Sequence, residues 1–358
     1  MTRQLPGGRP IAYTGRMKVD GILPFELPRV PDRARELERL GYDAAMSAEV
    51  ANEPFLPLAL AAEHTERLQL MTSVAVAFAR NPMTLAQVAH DLNAYSKGRF
   101  LLGVGTQVRA HVTRRFSMPW SRPAARMREF ILAMRAIWDA WYFGAKLEFR
   151  GEFYQHTLMT PMFTPRDVTY GPPRVLLAGV NPRITEVAGE VADGFVAHGF
   201  TTARYLREVT VPAIERGLAK ARRRRSDFAL CCPVFIVTGA NDRAMDASRA
   251  MVKGQISFYG STPSYRPVLD LHGWGALGEE LHEMSRRGAW AEMGDRVTDD
   301  VLDAFAVVAR PEELPERIAE RCGGLVDRLA FTAALDDPDQ LAEVVRRVRA
   351  AAGAPAAR

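Results

Sequence analysis

Short apolar and β-branched runs alternate along this chain with longer segments whose apolar residues recur at helical spacing. A parallel sheet covered by helices produces that alternation. The runs predict strands at Met17–Gly21, Asp43–Ser47, Leu68–Thr72, Phe100–Val104, Arg174–Leu177, Gly194–Ala197, Ala229–Val237 and Arg328–Thr332. Helical spacing follows nearly every one, over Asp32–Leu40, Leu56–Thr65, Pro82–Tyr95, Ala124–Trp141, Pro182–Val191, Ala203–Arg224 and Pro338–Ala350. Eight strand–helix units make an α/β fold of the (β/α)8 TIM-barrel type the simplest topology, with the active site expected at the carboxyl ends of the strands.

Two stretches interrupt the alternation. Residues 143–173, after strand four, are aromatic and Pro-rich and predict a short hairpin around Leu147–Tyr154 that serves as a lid or side wall. Residues 240–303, after strand seven, form a larger insertion with helical patterns at Asp242–Phe258, Ser264–Leu271 and Leu277–Arg287. Insertions on this side of a barrel shape the substrate entrance. With no repeat, low-complexity tract or long linker, residues 1–358 read as one barrel domain behind a loose polar leader over residues 1–15.

Composition narrows the class. A 47% hydrophobic chain of 358 residues can fill one large core. The longest apolar stretches, Leu56–Ala62 and Met71–Ala79, end at Glu63 and Arg80, short of the roughly 18 residues a membrane span needs. No secretory signal is readable, and the three cysteines form neither a disulfide framework nor a Cys-x-x-Cys motif, so a soluble cytoplasmic protein is expected. The net charge of +5 is concentrated at Arg222–Arg225 and Arg346–Arg349. These runs end helical patterns, where cations complement the helix dipole, and no nucleic-acid motif accompanies them.

Several strand ends carry candidate chemistry. After strand two, Ser47, Glu49 and Asn52 are polar groups placed to face a barrel mouth, against the plainer reading of a capped surface loop. After strand three, the small residues of Thr72-Ser73-Val74-Ala75 would let a flat ring approach the backbone, although helix packing explains them equally. Gly103 and Gly105 permit close approach at the end of strand four, beside Thr106 and Gln107. The third glycine and the helix of a dinucleotide fingerprint are missing there. Strand five runs through Ala178-Gly179-Val180-Asn181 into a helix opened by Pro182, which suits an anion at the helix amino terminus. His198 follows strand six. There is no nucleophile elbow, Walker loop, His-Glu-x-x-His or metal-spaced carboxylate set, which favours a barrel whose organic cofactor supplies the chemistry, with no metal expected.

Read in order, Thr72-Ser73-Val74, Asn81-Pro82, Ser96-Lys97-Gly98-Arg99-Phe100 and Gly103-Val104-Gly105-Thr106 resemble the luciferase-like monooxygenase family, in particular its branch that uses the deazaflavin coenzyme F-420. The resemblance spans Met17 to Val348 and includes Gly151-Glu152-Phe153-Tyr154, Ala178-Gly179 and Ala192-Asp193-Gly194. It implies a bulge after strand three with a non-proline cis peptide at Ser73-Val74. It also implies a cofactor phosphate at Ala178, Gly179, Val180 and Asn181, a cofactor lying along Ser47, Thr72, Gly105, Thr106 and Gln107, and Glu49 on the substrate side of the ring. Many deazaflavin-dependent relatives place an Asp or His pair after strand two, whereas this chain has Ser47-Ala48-Glu49, so the proton donor stays open among Glu49, His111 and His198. The implied activity is hydride transfer between coenzyme F-420 and a small organic substrate. The alternative is an FMN-dependent monooxygenase supplied with reduced flavin by a partner reductase, and a third is a catalytically silent flavin-binding barrel. Relatives are commonly homodimers.

Overall fold

The structure, a computed structural model, describes residues 17–331, 335 and 337–351. The expected leader over residues 1–15 and Thr332, the expected end of the last strand, lie outside the described residues. Eight parallel strands close into a barrel: β1 (Lys18–Ile22), β2 (Ala44–Ser47), β3 (Gln69–Thr72), β4 (Phe100–Gly105), β5 (Arg174–Gly179), β6 (Gly194–Ala197), β7 (Ala229–Pro233) and β8 (Arg328–Ala330). Each strand pairs with the next, and β8 returns to β1 through Lys18↔Arg328. The lumen is filled by Met46, Met71, Leu101, Leu176, Val196, Cys231 and Ala330, while alternate residues such as Val19, Leu70, Leu102 and Leu177 pack outward under the helices.

The outer helices are α1 (Val30–Arg39), α2 (Phe55–Glu63), α3 (Pro82–Tyr95), α4 (Pro123–Phe143), α5 (Pro182–Val191) and α6 (Val211–Lys220). After the insertion helices α7 (Asp242–Gly260), α8 (Arg266–Leu271), α9 (Gly275–Arg286) and α10 (Asp299–Phe305) come α11 (Leu314–Cys322) and α12 (Pro338–Ala351). The helix expected over Ala203–Arg224 is broken: a π turn at Leu206–Thr210 precedes α6. Pro212 lacks the N–H that would bond to the carbonyl of Glu208, and its ring crowds that carbonyl, so the helix widens there. The strand expected over Ala229–Val237 divides after Pro233. Its second half, Phe235–Val237, leaves the barrel and pairs in parallel with Ala306–Val308. Both halves are equally apolar because Ile236 packs in the core around the barrel and Val237 in a second apolar core under the insertion, with Phe200, Val252, Leu269 and Phe305. The expected hairpin forms two residues further on, with Phe149–Arg150 antiparallel to Gln155–His156.

A repeated device ties the amino-terminal ends of the strands together. Asp43, Asp193 and Asp327 each precede an even-numbered strand. Each accepts the backbone N–H of the preceding odd strand, from Val19 at 2.9 Å, Val175 at 2.8 Å and Leu230 at 2.6 Å respectively. Each carboxylate also holds an arginine: Arg349 at 3.2 Å, Arg135 at 3.0 Å and Arg225 at 2.9 Å. Before β4 the place is taken by Arg99, which donates to the carbonyls of Leu68 and Ala62. The basic run after α6 is thus spent locally, because Arg223 bonds the Ala192 carbonyl and Arg224 pairs with Asp227 at 3.0 Å.

Candidate active site

At the carboxyl end of β3 the ladder to β4 gains one residue. Met71 pairs with Leu101 and Ala75 with Val104, four steps against three. The extra residue makes a bulge, and the Ser73-Val74 peptide within it is cis. Three groups hold it. Ser73 N–H donates to the Ser47 carbonyl at 2.7 Å, Thr72 Oγ1 donates to the Gly103 carbonyl at 2.7 Å, and Glu49 N–H donates to the Val74 carbonyl at 3.3 Å. The two glycines of β4 make room for it. A Cβ on Gly103 would strike the Thr72 carbonyl oxygen, and one on Gly105 would lie 2.9 Å from a Val74 methyl.

Glu49 braces this turn. Its side chain is 8% exposed, and Oε2 accepts both the Val76 N–H at 2.7 Å and Arg80 Nη1 at 2.6 Å. Arg80 also donates to the Val76 carbonyl at 3.1 Å and lies over the Phe55 ring. Glu53 caps α2 by accepting the N–H groups of Phe55 and Leu56 and stands 3.5 Å from Arg80. Asn52 donates to the Phe25 carbonyl at 3.0 Å.

Beyond β4, Gln107 adopts a left-handed backbone with φ 59° and folds its Oε1 onto the Val108 N–H, while Thr106 Oγ1 donates to the Gln107 carbonyl. His111 is exposed at the start of a π turn, His111–Arg115. On β5, Ala178 packs against the lumen residues, and a Cβ on Gly179 would strike Ile184 of α5. The α5 amino terminus differs from those of α3 and α7. Asn81 and Asn241 accept N–H groups at 3.0 and 2.9 Å, whereas the Asn181 side chain makes no cap bond. Its carbonyl accepts from Thr185 N–H and Oγ1, and Pro182 stands at the first helical position. The first-turn N–H groups of α5 therefore point out beside Gly179, with the positive end of the helix dipole.

His198 extends the lumen-facing alternation of Gly194 and Val196 beyond β6. Its ring lies against Tyr259 at 4.7 Å and Tyr265 at 4.6 Å, both from the insertion. Burial pushes its pKa down to about 4, so the ring is neutral near pH 7. Nδ1 accepts the Phe200 N–H at 3.0 Å, which places the ring proton on Nε2.

The bulge thus gathers Ser47, Glu49, Thr72, Ser73, Val74 and Gly105, and a Cβ on Gly105 would also lie 3.7 Å from that of Ala178. Three partners escape the sequence reading: Arg80, Tyr259 and Tyr265. An arginine before an Asn-Pro helix start carries no mark of its partner, and the tyrosines arrive on the insertion.

The model of the luciferase-like monooxygenase family matches residues 7–328. The chain belongs to that family. It is 54% identical over 314 residues to an uncharacterized protein of Mycobacterium tuberculosis, covering 88% of this chain and 92% of that one. It is 24% identical over 340 residues to the F-420-dependent glucose-6-phosphate dehydrogenase of Mycolicibacterium smegmatis, covering 88% and 92%. Among solved structures, the coenzyme F-420-dependent tetrahydromethanopterin reductase of Methanopyrus kandleri superposes with a TM-score of 0.76 at 20% identity, over 92% of this chain and 97% of that one. A type II Baeyer-Villiger monooxygenase of Pseudomonas putida, in complex with FMN, gives 0.64 at 18% identity, over 93% and 96%. Members of the family are oxidoreductases or monooxygenases, and relatives use coenzyme F-420 or FMN. Among the described residues no helix is long and apolar enough to cross a membrane.

Proposed function

We propose that this chain is a coenzyme F-420-dependent oxidoreductase that moves hydride between the deazaflavin and a small organic substrate. The observation that carries the reading is the steric one. The bulge at Ser73-Val74, cleared by Gly103 and Gly105, shares one barrel mouth with the α5 amino terminus, whose leading side chain leaves its N–H groups uncapped. A flat ring would lie against the bulge that these glycines make room for, and a phosphate fits the helix end. When bound, the deazaflavin supplies the hydride donor or acceptor.

The chain's own groups position and shield. Ser47, Thr72, Ser73 and Val74 would back the ring, with Gly105, Thr106 and Gln107 along one edge. The Ala178-Gly179-Val180-Asn181 turn would take the phosphate. Glu49 and Arg80 hold the bulge in place. His198, with its Nε2 proton set by the Phe200 N–H, would donate a hydrogen bond to a substrate oxygen while remaining neutral. His111, exposed at the start of its π turn, would sit at the rim. The same reading carries a cytoplasmic homodimer, with a reductase partner only under FMN chemistry.

The test is a titration of the purified protein with coenzyme F-420 and with FMN, following the fluorescence of each. Tight quenching of the deazaflavin is expected. Tight binding of FMN with none of F-420 would replace this reading with the flavin monooxygenase.

A further inference from the structure

At the end of the barrel opposite this mouth, the lumen holds an excess of positive charge. Strand alternation places Lys18 and Asp20 of β1, Gln69 of β3, Arg174 of β5 and Arg328 of β8 on the lumen side. Gln69, Arg174 and Arg328 each lie two residues before a lumen-filling residue: Met71, Leu176 and Ala330. Arg328, 5% exposed, commits Nε and Nη2 to the two oxygens of Asp20 at 2.9 and 2.7 Å, and Nη1 to Gln69 Oε1 at 2.8 Å. Lys18 stands directly opposite Arg328 in the β1–β8 register, and its Nζ reaches the same Gln69 oxygen at 3.3 Å. Two cations on adjacent strands therefore share one amide oxygen, an arrangement their mutual repulsion disfavours.

The nearby carboxylates are already engaged. Both oxygens of Asp20 accept from Arg328. Asp43 holds the Val19 N–H and Arg349, and Asp193 holds the Val175 N–H, Arg135 and Arg223. Among the described residues, three half-buried or buried cations, Lys18, Arg174 and Arg328, thus share the lumen with Asp20, while Asp43 acts on Lys18 and Asp193 on Arg174 from carboxylates already bound elsewhere. Burial, with the neighbouring guanidinium of Arg328, holds both Lys18 and Arg174 below their ordinary pKa values. Positive charge withdrawn from water in this way is stabilised by an anion that brings its own oxygens as acceptors.

We propose that the amino-terminal end of the barrel binds a small tetrahedral oxyanion, inorganic phosphate or sulfate, between Lys18 and Arg174. It is independent of the cofactor reading, since the two sites lie at opposite ends of the strands. The bound anion cross-links β1 and β5 and relieves the repulsion between Lys18 and Arg328.

The experiment is thermal unfolding of the full-length, cofactor-free protein with increasing sodium sulfate against sodium chloride at matched ionic strength. A saturable, sulfate-specific rise of several degrees in Tm is expected at about 100-fold excess over Kd. Lys18→Met and Arg174→Met should each abolish the saturable part. Because sulfate at the α5 amino terminus would also stabilise, crystals soaked in selenate locate the anion directly by its anomalous signal, and do so even where a variant fails to fold. A peak beside Lys18 and Arg174 supports the site. A rise no greater than with chloride, a rise retained in both folded variants, or selenate only at the carboxyl end of the strands overturns it.

Discussion

Replacing Glu49 separates a bracing carboxylate from a catalytic one. In Glu49→Ala the Val76 N–H loses its acceptor, and Arg80 keeps only the Val76 carbonyl and a Glu53 oxygen 3.5 Å away. A hydrogen bond to a charged group contributes about 1.5–3 kcal/mol, and losing one partner of a fully buried pair costs about 3–5 kcal/mol. The Glu49 side chain is 8% exposed but Arg80 is 20% exposed, so water recovers part of the arginine's loss. The expected destabilisation is about 2–3 kcal/mol by urea unfolding, against about 1 kcal/mol for Glu49→Gln, which keeps an acceptor and loses the charge. A double-mutant cycle with Arg80→Ala should return a coupling of about 1–2 kcal/mol. Since Val74 and Val76 form the ring's support in the proposed site, F-420 affinity should fall in parallel with stability, and both should recover partly in Glu49→Asp. The bracing role is refuted if Glu49→Gln matches the wild type in unfolding midpoint and F-420 affinity yet loses turnover, because a general acid shows that split and a brace does not.

Other outcomes follow from single contacts. Gly103→Ala drives a Cβ into the Thr72 carbonyl and should cost about 1–3 kcal/mol together with cofactor affinity. Gly254→Ala, mid-helix in α7 with nothing within 4 Å of the new carbon, should instead stabilise by about 0.5–1 kcal/mol. Asp193→Ala leaves Arg135, Arg223 and the Val175 N–H without their shared carboxylate and should destabilise by about 3 kcal/mol, measured by urea unfolding. The folded pKa of His198 lies below its unfolded value, so the unfolded chain binds the extra proton. Its neutral-form stability is complete above about pH 6.5 and is lost as pH falls toward about 4, by at most about 3 kcal/mol. His198→Gln should flatten the urea midpoint across that window, and an unchanged slope would place the acid sensitivity elsewhere.

The barrel is legible in this sequence because burial repeats. Each strand carries two apolar faces, one for the lumen and one for the helices, and most helices carry one apolar stripe at helical spacing. The failures have local causes. In Ala229–Val237 the apolar run continues across two sheets, and Pro233 is the one residue that marks the exit. Helix α11 shows Leu314, Ile318 and Cys322 buried at four-residue steps, a readable but narrow stripe among charges. The paired groups of the site are another matter. Glu49 and Arg80 are 31 residues apart, and the tyrosines that enclose His198 come from the insertion, so no local window contains either relationship.

What the sequence does carry about the mouth is mainly absence. Gly103 and Gly105 stand where a side chain would collide with the bulge, and the Asn181-Pro182 start leaves helix N–H groups without a side-chain acceptor. Such gaps in the side-chain cover are visible as residue types, and their meaning depends on register. A shift of one residue in β4 against β3 would turn Gly103 away from the Thr72 carbonyl and leave it an unexplained weakness in a buried strand. The observed pairing of Met71 with Leu101 and Ala75 with Val104 makes the same glycine obligatory. The opposite end of the barrel carries its information as charge, in three aspartates bound to strand N–H groups and in cations that outnumber the lumen carboxylate. In the proposed reading one end of the strands admits a ring and a phosphate, while the other end holds the strands in register, a division that lets the loops above vary in chemistry while the register beneath them stays fixed.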